Sequence, residues 1–191
     1  MKAKSEQGSR ERMIEATISL MRESGLSGAG INEIVRESGA PKGSVYHFFP
    51  NGKIQITTEA IEVYSQRVLS FIDNALASKG SPSAKVKALF DAFAHRVEEA
   101  DFRKSCAVGT VSLDLDSGLE DLRIVLEGAF TDWVTQIARH FDFSDTRRTK
   151  SFAGLVLTNI EGAYIRCRAE RSSRPFREAG VWLAELAEAH T

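Results

Sequence analysis

Apolar residues recur along this chain at three- and four-residue spacing, the period of a helix that buries one face. After Ser9, a good N-cap, Met13, Ile14, Ala16, Thr17, Ile18, Leu20 and Met21 form a wide stripe that ends at Gly25. Ile31, Ile34 and Val35 predict a second helix over 31–38, about two turns long. Gly39 stands where the end of that helix needs left-handed φ. Pro41 suits the first turn of a third helix reaching about Phe49, because its missing N–H would have no intrahelical partner there. Val45 and Phe49, four residues apart, share one side of it, which leaves Lys42, Ser44, Tyr46 and His47 for the outward side.

Pro50, Asn51 and Gly52 signal a turn. A long helical pattern follows from Lys53 to about Ala77, through Ile56, Ala60, Ile61, Tyr64, Val68, Phe71, Ile72 and Ala75. At ~25 residues such a helix spans about 37 Å, enough to join a small head to a separate body. Ser81 and Pro82 open a helix to about Ala100. The stretch from Cys106 alternates briefly at Val111, Leu113 and Leu115, but it has no partner strand and reads as helix. Further helices are predicted over 119–141, over 146–171 behind a Ser144–Asp145 cap, and from Ser173–Pro175 to near His190. The fold class is therefore all-α, with about nine helices: a three-helix head in 1–52 and a larger helical-bundle body in 53–191.

Two short helices joined by a glycine turn, the second polar on its outer side, describe a helix-turn-helix, whose second helix enters the DNA major groove. Lys42 suits phosphate or guanine, Ser44 phosphate or base, and Tyr46 and His47 phosphate oxygens. Lys53 stands at a helix start, where backbone N–H groups favour phosphate. The run SGAPKGSVYHFFPNGK resembles the DNA-binding motif of the tetracycline-repressor (TetR) family. Its APKGS…YHFFP form, with glycine before the lysine, resembles the LmrA/YxaF-like subgroup. The resemblance covers about residues 9–56 and implies DNA-backbone contacts from Tyr46, His47 and Lys53; with Lys42, Gly43 and Ser44 these are the candidate DNA-binding residues. Gly30 departs from the usual Thr or Ser N-cap, and Ile54 from the usual Glu; neither removes a DNA contact.

In the body, Tyr64, Phe71, Phe90, Phe93, Phe102, Phe130, Trp133 and Tyr164 are either bundle core or, in part, the wall of a ligand cavity. The resemblance implies such a cavity, and the candidate lining is Tyr64, Phe90, Phe93, Val111, Phe130, Trp133 and Ile137, with Thr158 and Glu161 as polar groups; Thr110 is a further polar candidate. The last two helices carry a stripe broader than one neighbour would cover, and small residues at Ala153, Gly154, Gly162 and Ala163. The family builds its dimer from such helices, which nominates Ile160, Tyr164, Phe176, Ala179, Leu183 and Leu186 for a homodimer seam. A two-fold dimer is also what reading a palindromic operator requires.

Composition narrows the rest. The chain has 191 residues, 42% apolar and 27% charged, as in ordinary soluble domains. Residues 1–8 are polar and read as a short disordered arm without an export signal, so the protein is expected in the cytoplasm and off the membrane. Net charge is −1 and the head is only slightly basic, so the motif rather than bulk charge points to DNA. His47, His95, His140 and His190 lack metal-ligand spacing, and no CxxC, GxxxxGK[ST] or GxGxxG motif is present. No cofactor, metal or enzyme chemistry is expected. Cys106 and Cys167 leave one alternative, a helical small-molecule or thiol-redox sensor that does not read DNA. The favoured reading is a one-component regulator, a repressor released from its operator by a small, largely apolar inducer.

Overall fold

The computed structural model describes residues 2–77 and 80–189, with side chains from Gly8 onward; His190 lies outside them. Among the described residues there are nine helices and no strand. They are α1 (Lys2–Gly28), α2 (Ile31–Ser38), α3 (Lys42–Phe48), α4 (Gly52–Leu76), α5 (Pro82–Glu99), α6 (Ala107–Ser112), α7 (Glu120–Ala138), α8 (Thr146–Glu170) and α9 (Arg174–Glu188).

The helix expected to start at Ser9 is described back to Lys2. KAKSEQG contains neither proline nor a mid-segment glycine, so nothing in it stops a helix, and Ser9 accepts a bond from Arg12 instead of capping. The break near Gly25 takes the form of a kink, with φ 68° and ψ −165° at that glycine. Gly39 adopts φ 62° and ψ 17°. Pro41 is the N-cap of α3 rather than its first helical residue. Ser81 caps α5 by accepting the Ala84 N–H at 3.3 Å, and Asp145 caps α8 by accepting from Arg147 at 2.8 Å. The alternating stretch after Cys106 is helical.

Packing divides the chain into two compact units, 1–65 with 106–129, and 66–105 with 130–191. In the first, α1 buries Met13, Ile14, Ile18 and Met21 and packs against α2 and α6. Thr17 is buried among them, and its hydroxyl is satisfied by the Met13 carbonyl at 2.8 Å.

The second unit is built on α5 against α9 and α8. Gly180 brings α9 so close to α5 that a Cβ there would lie 2.7 Å from the Phe90 Cβ. Phe93 stacks on Phe176 at 5.7 Å, and Tyr164 meets both edge-on. At one end the Ser173 hydroxyl and Arg177 both donate to Glu98.

Candidate nucleic-acid interface

The two anchors of α3 are fully buried, Val45 in mid-helix and Phe49 at its C-cap, where the Phe49 N–H donates to the Val45 carbonyl at 2.7 Å. A seven-residue helix has little stability of its own, so these two side chains hold it in place. Their burial fixes its rotation and turns Lys42, Gly43, Tyr46 and His47 to solvent, with Ser44 half-exposed. A Cβ at Gly43 would meet nothing within 4 Å, so its backbone faces open space. Ser44 is partly spoken for, since its hydroxyl donates to the Pro41 carbonyl at 2.5 Å. That bond leaves the hydroxyl oxygen as an acceptor.

Tyr46 is 59% exposed, a high value for a large aromatic. Its ring edge reaches the start of α4, where a Cβ on Gly52 would lie 3.5 Å from Tyr46 Cε1. Gly52 has φ 64°, so the turn that carries α3 into α4 needs glycine there. Lys53 follows at the first turn of α4, half-exposed. The structure thus brings all six expected DNA-facing residues to one turn and the exposed side of one short helix.

Residues that the sequence did not nominate brace this face. Arg12 donates to the Ser38 carbonyl at 3.1 Å, and Ser38 accepts from the Ala40 N–H at 3.3 Å, which shapes the turn. Arg10 pairs with Glu59 and lies 5.4 Å over the Phe49 ring. Gln55 accepts from the Asn51 N–H at 3.0 Å and donates to Glu59 at 2.9 Å. At α2, Gly30 makes no side-chain cap; the Glu33 carboxylate fills the space a side chain there would take.

The expected ligand lining is buried in part: Tyr64 and Val111 in the first unit, Phe90, Phe93, Trp133 and Ile137 in the second. Phe130 and Glu161 are half-buried and Thr158 is exposed, with its hydroxyl on the Gly154 carbonyl at 2.9 Å. Two surface grooves of the second unit, about 440 and 370 Å³, are lined by none of these nine. Of the seam candidates, Ile160, Tyr164, Phe176 and Leu183 lie in the protomer's own core. Ala179 is half-exposed and Leu186 is exposed, the latter lining the larger groove with Phe152 and Leu155. The outer faces of α8 and α9 carry Leu155, Ile165, Val181 and Trp182, the last 72% exposed.

Both cysteines are buried, and burial pushes the Cys167 thiol up, away from the thiolate a redox sensor uses. Among the described residues no group of three or more His, Cys, Asp or Glu is placed to hold a metal ion. None of their helices is long and apolar enough to cross a membrane.

Residues 13–55 match the model for bacterial regulatory proteins of the tetR family, and residues 82–181 that for the LmrA/YxaF-like transcriptional regulator C-terminal domain. The chain is 32% identical over 170 residues to the HTH-type transcriptional regulator YxaF of Bacillus subtilis, covering 87% of this chain and 88% of YxaF. Its fold is similar to that of the regulatory protein TetR from Rhodobacter sphaeroides, with a TM-score of 0.83 at 22% identity, covering 93% of this chain and 97% of that one. It is also similar to the TetR-family regulator CifR, solved as a cysteine mutant with 26-bp double-strand operator DNA; the TM-score is 0.79 at 13% identity, covering 92% of this chain and 94% of that one.

Proposed function

The chain belongs to the TetR family of bacterial transcriptional regulators, and from that premise we propose that it is a repressor that binds a palindromic operator through α3 and releases it on binding a small, largely apolar molecule. The observation that carries the DNA contacts is the rotation of α3: Val45 and Phe49 are sequestered while Lys42, Gly43, Tyr46 and His47 face outward. Lys53 and Tyr46 grip phosphates, Lys42 and Ser44 reach base edges or phosphates, and the open backbone at Gly43 admits close approach of the duplex. Residues 1–52 serve as the DNA-binding domain and 53–191 as the ligand-binding and dimerisation domain, the whole acting in the cytoplasm.

An apolar inducer is supported by the interior, for among the described residues no Asp, Glu, Lys or Arg is buried. An ionised ligand would find no buried counter-charge there. Trp133, Phe130, Ile137, Phe90, Phe93, Tyr64 and Val111 remain the nominated wall, with Thr158 and Glu161 at its edge.

Dimerisation uses the outer faces of α8 and α9. Ala179, Trp182 and Leu186 follow one another at helical spacing, and Leu155, Gly162 and Ile165 do the same on α8. A Cβ at Gly162 would meet nothing within 4 Å, which leaves room for close approach of a second helix. Ile160, Tyr164, Phe176 and Leu183 support the seam from beneath. The ligand then acts by binding better to the head spacing that does not fit DNA, since only differential affinity moves the equilibrium. A mobility-shift assay with duplex from the region upstream of the chain's own gene tests the reading. Specific retardation resisted by competitor DNA supports it; retardation that any duplex competes away equally rejects it.

A further inference from the structure

Around the α8–α9 turn of the second unit, arginines are matched by carboxylates. Arg171 pairs with Asp101, Arg174 with Glu170 and Glu178, and Arg177 with Asp91 and Glu98. Arg139 and Lys150 differ. Both are exposed, and among the described residues neither makes an ion pair; the Arg139 side chain donates to Gln136 at 3.1 Å. Both line the groove of about 370 Å³ between the end of α7 and the first turns of α8. Sites for small molecules begin at about that volume.

The groove combines an aromatic wall with these free cations. Phe141 and Phe143 line it, lie 5.9 Å from each other, and both meet Phe152 edge-on at 5.2 Å. Three rings packed on one another give it a fixed apolar surface. Thr146 also lines it, with a hydroxyl that has no partner among the described residues and can donate. Asp142 is the carboxylate among the lining residues, and it too is exposed. Two cations against that carboxylate leave a single positive charge unmatched.

We propose that this groove is a second small-molecule site, for an aromatic monocarboxylate. The ligand's ring lies on Phe141 and Phe143, and its carboxylate meets Arg139, whose planar fork suits a carboxylate, with Lys150 as the second cation. Such a ligand is disfavoured in the interior, where no charged residue among those described is buried. A dianion would exceed the unmatched charge and meet Asp142. The larger groove is no rival, because Leu155 and Leu186, which line it, belong to the proposed dimer seam. The smaller groove shares no residue with that seam. The site stands whether or not the chain reads DNA.

Isothermal titration calorimetry on the full chain compares 2-naphthoate with its neutral counterpart 2-naphthamide. Wild type should bind naphthoate saturably, and naphthamide about tenfold more weakly, as expected when two exposed ion pairs are lost. The double variant Arg139→Gln/Lys150→Gln should lose about the same tenfold for naphthoate. Arg148→Gln, which removes a cation from the larger groove, should change it by less than about twofold. Asp142→Asn should instead tighten naphthoate binding by about two- to fivefold, a gain that damage to the fold cannot produce. No saturable naphthoate binding overturns the proposal. So does equal affinity for the two probes, an unchanged double variant, an equal loss in Arg148→Gln, or no gain in Asp142→Asn.

Discussion

Arg12 Nε donates to the Ser38 carbonyl at 3.1 Å, so the first helix closes the last turn of the second. The guanidinium there satisfies a terminal carbonyl and sets a positive charge at the negative end of α2. Arg12→Ala should lower stability by about 1.5–3 kcal/mol, the range for hydrogen bonds to charged groups. Urea unfolding followed by circular dichroism measures it; an unchanged midpoint would make the contact incidental.

Lys53 lies beside the exposed face of α3 at the first turn of α4. Lys53→Ala should weaken DNA binding about equally for all sequences and reduce the log–log salt slope by about 1. Fluorescence anisotropy at several salt concentrations gives the slope. If it does not change, Lys53 makes no phosphate contact.

Neighbouring positions on α9 should behave in opposite ways. Trp182 is 72% exposed and Leu183 5% exposed. Trp182→Glu should give a folded monomer with poor operator affinity, while Leu183→Glu should unfold the second unit by burying an unpaired charge. Sedimentation velocity and a melting curve on both variants separate the cases. A folded Trp182→Glu dimer would put the seam elsewhere.

Trp133 is 1% exposed and meets Phe130 edge-on at 5.6 Å. Trp133→Ala should cost about 3–5 kcal/mol if the indole is ordinary core. A much smaller cost in a thermal melt, together with loss of induction, would instead identify it as a cavity wall.

The Ser173 hydroxyl and then the Arg177 guanidinium hold the Glu98 carboxyl below its ordinary value. A carboxylate depressed in the folded state contributes stability above its unfolded value and loses it as pH falls through the folded one. Ser173→Ala should therefore lower the melting temperature at neutral pH, and the gap to wild type should close on acidification through the lower carboxylate range. A gap that stays constant with pH would assign Ser173 a purely steric role.

The helix-turn-helix was legible because its signals are local. The period of Ile31, Ile34 and Val35, the glycine at 39 and the Val45/Phe49 pair need no knowledge of the rest of the chain. The start of α1 was misjudged on equally local grounds, because Ser9 has the chemistry of a cap but nothing before it breaks the helix. A stripe on α9 says that residues are apolar, not what covers them. Phe90 and Phe93 of α5 and Tyr164 of α8 cover Phe176, while Leu183 is buried and Trp182 lies outside. The bond from Thr110 to Met21 spans 89 positions, beyond anything periodicity can register.

The short recognition helix separates two tasks by position. Val45 and Phe49 are committed to holding it, whereas Lys42, Gly43, Tyr46 and His47 are exposed. If α3 contacts DNA as proposed, a lineage, or an engineer, can vary the outward positions and so alter DNA binding while drawing little on folding stability. Changes at the two anchors would lose the helix before any new preference could be tried.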